Sequence, residues 1–392
     1  MTAPPRFSWV LLLGVASGLS PFAMSSLVPA LPAIQKAHDA GYAQVQWLIS
    51  AYLLGLGLSQ PLQGLLCDAI GRRRALLAGF TLYNIASALA IFAPTLQLLI
   101  GIRFVQAVGV SVGTVATRAM VRDVCDTESA AIALTWLAMF MGVAPMAAPA
   151  LGGLLADSLG WRTIFCAHLV IGVAIAVWMV ASLRETRPSG TAAASLSRLA
   201  VGFRELAVDP AFVGNSGVYA ASNGASFAFI TIGAALFHDL FGMSATQYGL
   251  YAAGYALSYT AGAALAGRWV RRFGIARTLR IGIAATAIAA LLSSAAAAFD
   301  HQQFLQLTVA IAILAAAGGL TSPLALAGAV SARPDLAGVA SGFSSSIAML
   351  TAAGFAWLGG RLYNGTIGPL AALLAVAALM TYGSARMARR RG

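Results

Sequence analysis

Charge is scarce in this chain of 392 residues: Asp, Glu, Lys and Arg together make up 9%, against about 25% in soluble globular proteins. Hydrophobic residues make up 59% and the mean hydropathy is +0.83, more apolar surface than a water-soluble domain can hide. Acids are scarcer than bases, 12 against 24. All of them (Asp39, Asp68, Asp123, Asp126, Glu128, Asp157, Glu185, Glu205, Asp209, Asp239, Asp300 and Asp335) fall in loops or near the ends of apolar runs, so no run has a carboxylate at its centre. The three cysteines, Cys67, Cys125 and Cys166, lack the paired spacing of a disulfide framework or a thiolate metal site. A Walker-type glycine loop ending in Lys-Ser or Lys-Thr is missing, which excludes a P-loop nucleotide site. No cluster of ligating side chains calls for a metal or another cofactor. The strands of about ten alternating residues that mark a membrane barrel are absent too.

What is present is a series of apolar windows near the ~20 residues a helix needs to cross the hydrocarbon core. Twelve can be drawn: 8–32, 45–65, 75–93, 97–118, 132–156, 163–183, 211–237, 246–267, 277–298, 304–330, 337–360 and 366–384. The chain therefore reads as an all-α integral membrane protein with 12 transmembrane helices. Its start resembles a signal peptide, but the apolar run is too long and too rich in proline for a cleaved one, so we expect a retained first helix.

Arginine-rich loops stay cytoplasmic. With both termini placed inside, 20 of the 24 basic residues lie on that side; Lys36, Arg162 and Arg361 lie outside and Arg103 within the bilayer. The net charge of +12 then follows from topology, and no nucleic acid need be invoked. One lysine against 23 arginines, with abundant alanine, fits a GC-rich bacterial genome, so the expected location is a bacterial inner membrane.

Residues 184–210, RETRPSGTAAASLSRLAVGFRELAVDP, are polar and rich in Pro, Gly and Ser. They read as a cytoplasmic linker between a bundle at 1–183 and another at 211–392. The halves echo one another: GLLCDAIGRRRALL (64–77) and GRWVRRFGIARTLR (267–280) align Gly64 with Gly267, Gly71 with Gly274, Arg74 with Arg277 and Leu76 with Leu279. At the same offset Arg103 falls opposite Gln306. This is the pattern of parallel repeats.

Taken together, these features resemble the major facilitator superfamily. GLLCDAIGRRR resembles its motif A through Gly64, Asp68, Gly71, Arg72 and Arg73, with Ala69 where an Arg is usual. RFVQAVG resembles motif B through Arg103, Gln106 and Gly109. GVAPMAAPALGG resembles the antiporter motif C through Gly142, Pro145, Pro149, Gly152 and Gly153. TRAMVRD and GWRTIF look like the bicyclomycin/chloramphenicol-resistance (Bcr/CflA) subgroup of drug exporters. The resemblance implies a gate at motif A, with Asp68 latching onto the start of the eleventh span at Gly338 and Gly342, a small-xxx-small pair that permits close approach. It implies a bent fifth span sealing the outer side, and a cavity-facing Arg103 linked to proton movement.

Arg103 is costly by itself, because a charge at the bilayer centre costs about 2.5–3.5 kcal/mol on insertion scales. The subgroup commonly carries an Asp in its first span, where this chain has Ser25. Without that acid, three readings stay open: the titrating group is Asp123 or Asp68 near the cytoplasmic ends; it is His168, within the sixth span; or a substrate carboxylate pairs with Arg103, whose planar fork suits one. Two stripes at helical spacing, Asn215, Tyr219, Asn223 and Phe227 in the seventh span and Tyr251, Tyr255 and Tyr259 in the eighth, are candidates for the cavity wall.

The reading is a monomeric secondary-active exporter of a small molecule, a drug or an acidic or zwitterionic metabolite such as a siderophore, coupled to protons across the lipid bilayer. An uptake symporter for a sugar or organic acid is the alternative, disfavoured by motif C. A membrane-embedded enzyme would need a catalytic constellation inside the bilayer, and the spans hold none.

Overall fold

The computed structural model describes residues 7–187, 196–298 and 304–388; Asp300 and the terminal arginines Arg6 and Arg389 to Arg391 lie outside them. The described residues form α1 (Phe7–Ser25), α2 (Leu31–Ala37), α3 (Tyr42–Val45), α4 (Trp47–Ile70), α5 (Arg72–Ile91), α6 (Leu96–Val124), α7 (Thr127–Leu159), α8 (Arg162–Ser182), α9 (Leu196–Ala207), α10 (Pro210–Phe241), α11 (Ala245–Phe273), α12 (Ile275–Ala298), α13 (Phe304–Ser331), α14 (Ala337–Leu362) and α15 (Gly368–Ala388). Each expected span is found as a helix, the first as α1 and α2 joined through a 3₁₀ turn at Val28–Ala30. Pro29 and Pro32 sit at that joint and have no N–H to continue a helical ladder.

The helices overrun the windows drawn from hydropathy. The 33 residues of α7 make a rod of about 50 Å at 1.5 Å per residue, while the hydrocarbon core is about 30 Å thick. Hydropathy marks the apolar middle, whereas caps set the true ends: Asp126 accepts from Ser129 N at 2.8 Å at the start of α7. Among the described residues, ten spans are long and apolar enough to cross a membrane by length and composition alone. The two long helices outside that set, α4 and α11, spend one face on protein rather than lipid: α4 packs along α14, and α11 along α7 and α13.

The parallel repeat has a physical basis in two glycines. Gly71 (φ 97°) ends α4 and Gly274 (φ 79°) ends α11. Each donates its N–H four residues back, to Cys67 O at 3.1 Å and to Val270 O at 2.9 Å. A residue with a Cβ is strained at such φ values, so both positions require glycine.

The interval 184–210 is not irregular throughout. It contains α9, whose Phe203 packs against Phe343 of α14 with ring centroids 4.4 Å apart and whose Glu205 pairs with Arg333 at 2.8 Å. The cluster of small and charged residues hid an amphipathic helix of 12 residues, with Leu206 buried beside Phe212 and Ala340.

Hydrogen bonds joining the two sets of six spans gather at the arginine-poor end and at mid-bundle. Asp157, near the end of α7, accepts from Thr246 N (2.8 Å) and Thr246 Oγ1 (2.6 Å) in the first turn of α11, a carboxylate on a helix N-terminus. Gln46 Nε2 and the Tyr42 hydroxyl both donate to Thr231 O of α10. Farther in, Ser346 Oγ donates to Gly57 O at 2.5 Å.

Candidate functional site

Arg103 is fully buried within the first six spans. Its NH1 donates to Gln106 Oε1 at 2.5 Å and its NH2 to Ala23 O at 3.3 Å; its guanidinium lies 4.1 Å from the centroid of the Tyr52 ring. Nε has no partner. Ala23 belongs to the last turn of α1, where carbonyls lack helical donors and the dipole is negative. The break in α1 at Ser25 thus supplies the counter-dipole that the sequence denies in carboxylates. Arg103 does not face an open cavity in this conformation, so a substrate carboxylate cannot pair with it here.

Gln106 extends the network. Its Nε2 donates to Ser87 Oγ at 2.7 Å and lies 3.5 Å from His168 Nδ1; His168 Nε2 lies 2.8 Å from Ser26 Oγ. His168 is also fully buried, ringed by Phe22, Phe165 and Tyr83. Ser25, the expected replacement for the missing acid, is buried at the end of α1, but Ser26 is the residue that reaches the histidine.

Motif C lies against this network on one side and against the other half on the other. A Cβ on Gly152 would sit 1.8 Å from Ser26 O, and one on Gly153 would sit 2.3 Å from Ala245 O of α11. One turn earlier, Pro149 O is 2.3 Å from where a Cβ on Gly249 would be. The helix α7 runs unbroken through Pro145 and Pro149, and its backbone meets the α11 backbone directly.

At the arginine-rich end, Arg72 pairs with Asp68 and, through Nε, with Asp123 Oδ2 at 3.2 Å. Glu185 caps α5, accepting from Arg72 N at 2.8 Å and Arg73 N at 3.2 Å. Burial would raise its carboxyl; the backbone N–H groups of Arg187, Arg72, Thr186 and Arg73 outweigh that and hold it below the ordinary range. The expected docking of Asp68 onto α14 is not seen: a Cβ at Gly64, Gly338 or Gly342 would meet no atom within 4 Å. Asp68 is satisfied inside its own half, because Arg72 follows it by four residues on the far side of the Gly71 turn. Substituting Asp68→Asn is expected to lower the maximal transport rate at least about threefold with little change in the half-saturating concentration, as for a lost conformational contact. Initial rates over a substrate series check this, and a change confined to the half-saturating concentration would argue for a binding role.

The two stripes come together only in part: Tyr219 of α10 lies near Tyr259 of α11, while the other members pack elsewhere. Tyr255 stacks on Phe229 at 4.9 Å, Tyr251 packs on Phe237 at 4.4 Å, and Phe227 is buried, all within the second half. Asn215 and Asn223 turn their amides back onto Ala211 O and Tyr219 O, both at 2.8 Å. Tyr219 and Tyr259 are half-buried, beside Ser345 and Ser322 respectively. Facing Tyr219 is Arg118 of α6, half-buried, with NH2 3.5 Å from Met141 Sδ. Sequence reading placed Arg118 among the cytoplasmic arginines. The signal that could have found it was the apolar periodicity continuing through Ala119, Met120 and Val121.

Residues 13–244, more than half the chain, match the family model described as Major Facilitator Superfamily. The chain belongs to the major facilitator superfamily. Across 381 residues it is 30% identical to a chloramphenicol resistance protein of Pseudomonas aeruginosa, covering 93% of this chain and 85% of that one. It is 23% identical to a bicyclomycin resistance protein homolog of Haemophilus influenzae, covering 87% and 86%. Among solved structures, a bacterial homolog of the human lysosomal transporter Spinster in an inward-facing conformation superposes with a TM-score of 0.76 at 17% identity, covering 99% of this chain and 97% of that one. A D-xylose-proton symporter superposes at 0.77 with 14% identity, covering 98% of each. These two likenesses establish the fold. The protein is thus a multi-pass membrane transporter of small molecules, with bacterial relatives named for drug resistance, and not an enzyme.

Proposed function

We propose that the protein exports small organic molecules from a bacterial cell by proton-coupled alternating access, residues 1–183 rocking against 211–392 as a monomer in the inner membrane. The arginine-rich end, with both termini, is assigned to the cytoplasm by the distribution of charge. The observation that carries the reading is the succession of two glycines on α7, one pressed on Ser26 beside His168 and the next on α11 across the halves. A change in the protonation of His168 alters its bond to Ser26, and Gly152 and Gly153 pass the shift to the contact that closes the arginine-poor end. Among the described residues, Arg103 of α6 and Tyr83 of α5 are the titratable groups that face His168. Asp123, committed to Arg72, serves structure instead.

The names of the relatives point to drugs as cargo, and Arg118 beside Tyr219 offers a cation to an acidic or zwitterionic metabolite such as a siderophore. Chloramphenicol is the natural first probe. In everted membrane vesicles, wild-type protein is expected to accumulate it in response to an imposed pH gradient, and His168→Gln to lose roughly tenfold or more of that gradient-driven rate while still exchanging labelled for unlabelled substrate. Undiminished gradient-driven accumulation by the variant would move the proton site elsewhere.

A further inference from the structure

A groove of about 750 Å³ runs between α12 and α15, on the outer surface of the bundle rather than between the halves. Small side chains create it: Ala284 and Ala287 on one helix and Ala378 on the other form its floor, and Leu291 and Leu379, both largely exposed, form its rims. Arg280, Arg386 and Tyr382 lie at one end. A second hollow of about 650 Å³ continues from it past Arg280 to Arg277 and the Gly274 turn.

Three arginines thus converge at the arginine-rich end of an alanine-lined channel. No ion pair is found for any of them among the described residues: Arg280 Nε reaches Ala276 O at 3.4 Å, Arg386 lies 5.0 Å from the Tyr382 ring centroid and Arg277 6.0 Å from that of Phe273. From Arg280 to Leu291 along α12 is about 16 Å at 1.5 Å per residue, the depth of one leaflet of a ~30 Å hydrocarbon core. The volume lies within the range of about 300–1,000 Å³ typical of small-ligand sites. Positive charge at the depth of the headgroups, followed by one leaflet of apolar recess, is complementary to a single anionic phospholipid.

We propose that this groove is a binding site for an anionic phospholipid of the leaflet at the arginine-rich end, its phosphate held by Arg277, Arg280 and Arg386 and an acyl chain laid along the alanines. The site is separate from the transport path, and its existence does not depend on the direction or coupling of transport.

Native mass spectrometry of the full-length protein, delipidated in detergent and given equimolar phosphatidylglycerol and phosphatidylcholine, tests this. The wild type is expected to retain phosphatidylglycerol in preference by about tenfold, a difference of about 1.4 kcal/mol. Arg280→Gln with Arg386→Gln should abolish the preference, and Ala287→Trp with Ala378→Trp, which fills the groove and leaves the arginines, should lower retention of the lipid to a similar extent. Both double variants lie on the bundle surface and should melt like the wild type. Equal retention of the two lipids by the wild type, or an unchanged preference in the arginine variant, overturns the proposal. So does displacement of phosphatidylglycerol by inorganic phosphate at equal concentration, or an unaffected tryptophan variant, either of which would identify a site for small anions.

Discussion

Cells carrying Arg103→Gln should export no more than cells without the gene, while the variant inserts and folds normally. The expectation rests on two opposed magnitudes. The substitution removes charge-assisted bonds to Ala23 O and Gln106, worth about 1.5–3 kcal/mol each. It also removes the cost of holding a cation in the bilayer, about 2.5–3.5 kcal/mol even on insertion scales. Because these largely offset, the fold survives. Transport does not, because Gln106, released from Arg103, loses the geometry that sets His168 against Ser26, and the cation facing the histidine is gone. A fall of at least about tenfold in transport, with an unchanged monodisperse elution profile, is the expected outcome. Transport at the wild-type rate would remove Arg103 from the mechanism, and loss of folded protein would assign it a purely structural role.

Gly153→Val is expected to hold the arginine-poor end open. The added Cβ would lie 2.3 Å from Ala245 O, with Ala245 C at 2.7 Å and Thr246 Cα at 2.9 Å. All three are backbone atoms, so no side chain can swing away, and the halves must part by roughly 1 Å to restore contact. Overpacking of this kind costs about 1–3 kcal/mol, enough to shift a two-state equilibrium by about fivefold to a hundredfold. In a background with Cys67, Cys125 and Cys166 replaced by serine, a cysteine at position 246 should react with a membrane-impermeant maleimide at least severalfold faster when Gly153 is valine, and transport should fall in parallel. Unchanged labelling would show that the contact between α7 and α11 does not control that end. Gly152→Ala should act differently, since its Cβ meets Ser26 O in the same half: transport is lost without increased labelling at 246.

The fold was legible because the membrane enforces it. A helix in lipid must satisfy its backbone internally, so each apolar window became a helix, and the paired glycines 71 and 274 marked the repeat. Arg103 was legible as an anomaly of charge. Its partners were not, because a helix break is visible only as Pro29 and Pro32, and nothing in a linear pattern says that a carbonyl of α1 will serve where a carboxylate is missing. Ser26 and Ser25 differ by one position, which is about 100° around a helix, and hydropathy cannot choose between them. The tyrosine stripes were legible only in part, because helical spacing fixes a face and leaves open what that face meets: Tyr251 and Tyr255 meet Phe237 and Phe229 of their own half, while Tyr219 lies near Tyr259 and Arg118. Glu185, Asp157 and Arg118 lie at or beyond the ends of the apolar windows, where a linear pattern shows the charge and not what it meets.

Outward transport through this polar network can be read from the distribution of small molecules inside and outside cells, in iron-replete and iron-starved media. Three strains are compared: one with the gene, one without it, and one carrying Arg103→Gln, with added chloramphenicol as one of the measured compounds. At least one compound is expected to be retained inside the strain lacking the gene, depleted from its medium, and distributed identically in the Arg103→Gln strain. A compound that enters cells because the gene is present would rule out outward transport, and one exported equally by the wild type and Arg103→Gln would rule out the network as its path.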